Sequence, residues 1–175
     1  VTDFSGFVCA NCHSYFKGST LETLTYLEEF SAPLVMQWAT LGESVKFKRN
    51  SYYIISKIQR FTKSGEYGNE FVGLNAKQDD IYFSDGVDYA CALHTIDREQ
   101  VTLLPKSNSC KFGNRHYDLE YTEEQTVVYA EGFVFEDLES TSTTLTYIQT
   151  VNEDRFISQE FIDNDVQYYQ GIYLG

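Results

Sequence analysis

From Gly42 to the end of the chain, short apolar runs alternate with turn residues at near-regular intervals. That rhythm, with no helical pattern between the runs, restricts the fold to an antiparallel sandwich or barrel. Strands are expected near Val45–Lys48, Ser51–Phe61, Glu70–Asn75, Asp80–Phe83, Val87–His94 and Gln100–Leu104. Further strands are expected near Tyr117–Tyr121, Thr126–Phe135, Thr143–Val151, Arg155–Phe161 and Val166–Tyr173. Ser64-Gly65, Asp85-Gly86, Gly113-Asn114 and Asp163-Asn164-Asp165 supply turn chemistry between them. The 14 Tyr and 13 Phe, against 2 Pro, fit a pleated, half-buried surface.

The first forty residues read differently. Val1 to Val8 alternates weakly and suits an edge strand or an extended arm. Ser19 to Phe30 carries an S-x-x-E capping box (Ser19, Glu22) and Leu21, Leu24, Leu27 and Phe30 at helical spacing, which predicts one short N-terminal helix ended by Pro33. Leu34 to Leu41 is an apolar run in which length and periodicity do not separate strand from helix. The fold class expected is mainly β, an antiparallel sandwich or barrel with that one helix. It forms a single domain, residues 1–42 being an N-terminal segment on a β body of residues 43–175.

Net charge is −13, which opposes nucleic-acid binding because a polyanion is repelled. The charge is also uneven. Lys46 to Lys63 holds six bases and no acid, whereas Asp118 to Asp165 holds 13 acids and one base, Arg155. Two differently charged solvated faces, or complementary patches that join copies or steer a redox partner, are the expected consequences. No run approaches the roughly 20 apolar residues needed to span a membrane as a helix. A chain beginning at Val1 reads as processed and exported, so an extracytoplasmic location (periplasm, cell surface or secreted) is expected. Four Cys suit an oxidising compartment.

The most specific chemical signal is Cys9-Ala10-Asn11-Cys12-His13. In a C-x-x-C-H pentad two thiols add to haem vinyl groups and the following imidazole turns onto the iron. Other readings pair Cys9 and Cys12 in disulfides with Cys91 and Cys110, or make them half of a zinc site. G-x-S-x-G, Walker A and G-x-G-x-x-G motifs are absent, and no enzymatic activity is expected.

The run Val8 to His13, V-C-A-N-C-H, resembles the haem-attachment segment of c-type cytochromes, cytochrome f in particular. The resemblance covers six residues. It implies one covalent haem c held by Cys9 and Cys12, with His13 as axial iron ligand, and electron transfer to a redox partner protein or to copies of the chain. Candidate distal ligands are His116, His94 and Met36. That reading leaves Cys91 and Cys110 for a disulfide, whose loop would contribute about 3 kcal/mol. The alternatives are a secreted, disulfide-bonded β-barrel of lipocalin-like architecture that binds a small ligand without a cofactor, and a structural subunit of an extracellular filament.

Overall fold

The computed structural model describes residues 4–33, 35 and 37–175. Its strands are β1 (Gly6–Val8), β2 (Ser14–Lys17), β3 (Thr25–Glu29), β4 (Ser44–Phe47), β5 (Asn50–Thr62), β6 (Tyr67–Leu74) and β7 (Asp80–Asp85). They continue with β8 (Ala90–Ile96), β9 (Val101–Leu104), β10 (Ser109–Phe112), β11 (Arg115–Val134), β12 (Ser142–Gln149), β13 (Asn152–Ile162) and β14 (Asp165–Tyr173). Eight of them close an antiparallel barrel in the order β5-β6-β7-β8-β14-β13-β12-β11, with β11 returning to β5. The chain thus builds two four-stranded meanders and joins them edge to edge. A simple up-and-down barrel, the lipocalin-like arrangement, would instead have placed β11 next to β8.

The closing strand is β11. Its first half pairs with β12 and its second half with β5, with register shifts at Leu119/Tyr121 and Val127/Tyr129. Such bulges bend a long strand and let it serve both neighbours. At Gly132 it also takes up β1. Gly132 has φ +84°, and a Cβ there would lie 2.3 Å from the Ile55 carbonyl oxygen, so the crossing requires glycine.

Pleat alternation sorts side chains into two sets. Arg60, Glu70, Tyr82, Ser84, Cys91, Ser158, Glu160 and Tyr169 face the lumen, while Phe71, Phe83, Ala92, Tyr147, Ile157 and Tyr168 point outward. The outward face is nonetheless buried. A strap carrying Ala39, Leu41, Val45 and Phe47 covers Tyr52, Ile54, Phe71, Phe83 and Ala92, with the Trp38 ring 4.5 Å from that of Phe71. The β9–β10 hairpin covers Tyr117, Tyr147, Ile157 and Tyr168 with Val101, Cys110 and Phe112. At the lower end, where β11 leaves β5, a third cluster lies on the lumen side instead, Val8 and Tyr15 packing on Ile58, Ala130, Val134 and Leu138. A large apolar side chain buried this fully contributes about 1.5–3 kcal/mol, so much of the cohesion lies outside the barrel wall and the lumen is free to be polar.

Two expectations need correction. Ser19–Phe30 is not a helix: Thr20 and Thr23 form a hydrogen-bonded turn, Leu21 is exposed, and Thr25–Glu29 is β3, paired with β2. A lone helix of that length is marginal in water, and the β2 edge offers Thr25 and Tyr26 a full ladder. The Leu34–Leu41 run is neither strand nor helix where described; Leu34 and Met36 lie outside the described residues, and Trp38 is half-exposed in an irregular strap. No helix among the described residues is long and apolar enough to cross a membrane.

The uneven charge of the sequence has a local explanation. Basic β5 and acidic β11 are neighbours at the barrel closure, where Lys57 pairs with Glu131 at 3.1 Å. Lys63 beyond β5 pairs with Glu124 at 2.9 Å.

Candidate functional site

The lumen is divided into two chambers by one layer of side chains. Arg60, 4% exposed, projects from β5 into the barrel. Its Nη2 lies 2.5 Å from Glu136 Oε1 and 3.7 Å from Glu160 Oε1, and its Nε lies 3.4 Å from Glu70 Oε2. Glu70 comes from β6, Glu160 from β13, and Glu136 from the loop after β11 that crosses the lower end. Beside them the Tyr82 and Tyr169 rings meet edge to face, centroids 5.2 Å apart. Glu70, Tyr82, Glu160 and Tyr169 line both chambers and so form the partition.

Charge in this layer does not balance. Burial by itself would discharge Arg60, but Glu136, Glu70 and Glu160 outweigh it and hold the guanidinium charged. Three carboxylates around one cation leave an excess of negative charge. Burial accordingly pushes Glu160 up to about 7 against the pull of Arg60, with repulsion from Glu70 and Glu136 adding to it. Burial raises Glu136 as well, again against the pull of Arg60.

The upper chamber, about 760 Å³, is bounded by the β5–β6 and β7–β8 turns and by Glu120 to Gln125 of β11. Its wall holds six carboxylates (Glu66, Glu70, Asp88, Glu120, Glu123, Glu160), one base (Arg60) and seven aromatic rings, six of them Tyr. Burial pushes the Tyr89 and Tyr173 hydroxyls up to about 12, so both remain neutral phenols at physiological pH. The chamber's exposed lining residues are mixed, the carboxylates Glu66, Asp88 and Glu120 standing with the rings of Tyr89 and Tyr121. The lower chamber, about 390 Å³, is lined by seven carboxylates and no base.

The C-x-x-C-H pentad lies elsewhere, in the β1–β2 connection. His13 adopts φ +57° and its N–H donates to the Cys9 carbonyl at 2.8 Å. Its ring meets Tyr129 edge-on at 5.4 Å. Tyr129 in turn donates its hydroxyl to Glu131. Cys9 is half-buried and Cys12 is exposed, its thiol held below the ordinary value by the Ser14 hydroxyl.

The other expected ligands are not gathered here. His94 is exposed on the outer face of β8, four strands from β11 in either direction round the barrel. His116 pairs with Asp118 at 3.1 Å, at the opposite end of β11 from Tyr129, about 40 Å away along the strand. Met36 lies outside the described residues. Among the described residues no three His, Cys, Asp or Glu side chains are arranged to hold a metal ion.

The expected Cys91–Cys110 disulfide is likewise not formed; all four cysteines are free thiols. Cys91 lines the upper chamber on β8, whereas Cys110 sits in the outer cluster under the β9–β10 hairpin. Strands β8 and β9, consecutive in the chain, do not pair with each other: β8 pairs with β7 and β14, and β9 with β10. Burial raises both thiols to about 12.

Arg60, Glu70, Glu136 and Glu160 were not distinguishable in the sequence as site residues. The sequence sets Arg60 on one strand face with Ile58 and Thr62, but Lys57 and Gln59 beside it blur that signal. Comparison of the chain with protein-family models, with curated proteins and with solved structures gives no match.

Proposed function

We propose that the barrel binds a small organic cation, a protonated aromatic or alkyl amine, in its upper chamber. The observation that carries this reading is the composition of the wall: six carboxylates and seven aromatic rings against one arginine whose charge is already consumed. A chamber of about 760 Å³ falls within the range of small-molecule sites, and the rings in its wall suit a ligand with an apolar body. Neutral Tyr rings attract a cation through their faces, and the carboxylates attract it by charge. Anionic ligands such as fatty acids meet repulsion from the same wall. The reading is one of binding and assigns no reaction.

Thermal-shift measurements on pairs of ligands matched in shape but opposite in charge test it. Phenethylamine and tryptamine are expected to raise the midpoint. Phenylpropionate and indolepropionate are expected to leave it unchanged, and a shift with the acids alone would overturn the assignment.

A further inference from the structure

The β1–β2 hairpin tip holds two thiols that the lumen does not use. The Cys9 N–H donates to the Ser14 carbonyl at 3.0 Å, and the His13 N–H closes back on the Cys9 carbonyl at 2.8 Å. The intervening residues therefore make a single turn of helical pitch. Residues three apart in such a turn lie side by side with Cβ atoms about 5–6 Å apart, and a disulfide draws such a pair together with little backbone movement. Cys9 lies close enough to Cys12 to help hold its thiol below the ordinary value. Cys12 faces solvent and its S–H donates to Ser14 Oγ at 3.3 Å. Once the thiol is deprotonated, that hydroxyl can rotate to donate to the sulfur.

We propose that Cys9 and Cys12 form a redox-active dithiol that exchanges with small disulfides of the glutathione class. The Cys12 thiolate attacks one sulfur of the small disulfide; an S–S bond forms to Cys12 as the original S–S bond breaks, and one small thiolate leaves. The Cys9 thiolate then attacks the Cys12 sulfur, closes the Cys9–Cys12 bridge and expels the second small thiolate. Two protein thiols are oxidised by two electrons, the small disulfide is reduced to two thiols, and the two protons lost by the protein are taken up by the leaving groups. Cys12 is the attacking residue because it is exposed and hydrogen-bonded by Ser14; half-buried Cys9 resolves the mixed disulfide. Cys91 and Cys110 are buried in separate places and take no part. The bridge would fix the turn of the hairpin whose Val8 and Tyr15 seal the lower end of the barrel.

The test equilibrates the reduced full-length chain in glutathione buffers of graded potential, quenches in acid, alkylates, and maps the peptides by mass spectrometry. One internal Cys9–Cys12 bridge is expected in oxidising buffer, with Cys91 and Cys110 recovered as thiols. Cys9→Ser is expected to accumulate a stable mixed disulfide at Cys12, and Cys12→Ser to react about tenfold more slowly than Cys9→Ser. Cys9 and Cys12 remaining reduced at every potential, equal rates in the two variants, or both sulfurs occupied by covalent haem would overturn the proposal. Peptide mapping of the unsubstituted chain decides the matter even if a variant fails to fold.

Discussion

Arg60 on β5 reaches across the lumen to Glu136, 76 residues further along the chain, and the two meet at 2.5 Å where the loop after β11 closes the lower end of the barrel. The pair ties that loop to the wall, and it joins strands whose partners come from both meanders. Removing one member of a buried ion pair leaves uncompensated charge and costs about 3–5 kcal/mol. Arg60→Met is therefore expected to lower unfolding free energy by about that amount at pH 8, because three carboxylates would then face one another unpaired. At pH 5, below the folded-state value of Glu160, protonation of that carboxyl relieves part of the repulsion and the loss should be smaller. Denaturant titrations at the two pH values check this.

The partition also sets the direction of the pH dependence. Glu160 is held at about 7 in the folded chain, above the ordinary carboxylate value of 4.5, so between those values the folded state binds the extra proton. Its contribution is fully present below the unfolded value and is lost as pH rises through about 7. The span corresponds to about 3 kcal/mol. Thermal midpoints are expected to rise as pH falls from 8 towards 5.5, and Glu160→Gln should flatten much of that slope. A midpoint that instead falls over this range would contradict the charge balance described for the layer.

Gly171 on β14 faces Phe156 on β13, and a Cβ at residue 171 would lie 2.1 Å from the ring. Gly171→Ala therefore forces the ring to move, at a cost of about 1–3 kcal/mol by the usual penalty for overpacking. Because Phe156 lines the upper chamber, the same change should weaken binding of bulky amines more than of small ones. Paired stability and affinity measurements on this variant separate the two effects.

Much of the barrel body was legible because period-two patterning and turn residues are local signals. The Ser64-Gly65 and Gly113-Asn114 turns fall between strands as expected, and Asp85-Gly86 and Asp163-Asn164-Asp165 fall at strand junctions. Closure was not legible. Joining β11 to β5 rests on a glycine tolerated at φ +84° and on two bulges, features that a hydrophobic pattern does not carry. The Ser19–Phe30 segment misled because leucines spaced three apart suit a helix, whereas tertiary pairing with β2 decided its conformation. The lumen site was hidden for a related reason: its charged residues come from β5, β6, β13 and a loop, and only the register brings them together. The C-x-x-C-H pentad stood out as a contiguous motif, yet its neighbours in space supply no second ligand among the described residues.

The most direct test of the account is a calorimetric titration with a permanently charged aromatic cation, such as trimethylphenylammonium, at pH 6 and at pH 8. A ligand that cannot titrate isolates the response of the chamber. One-to-one binding is predicted, tighter at pH 8 by up to about tenfold because Glu160 must release its proton to receive the cation, a factor equivalent to 1.4 kcal/mol. Proton release, seen as a dependence of the heat on buffer ionisation, should accompany it at pH 6. Absence of binding at both pH values, or equal affinity for the neutral tert-butylbenzene analogue, would contradict the assignment of the lumen as a cation site.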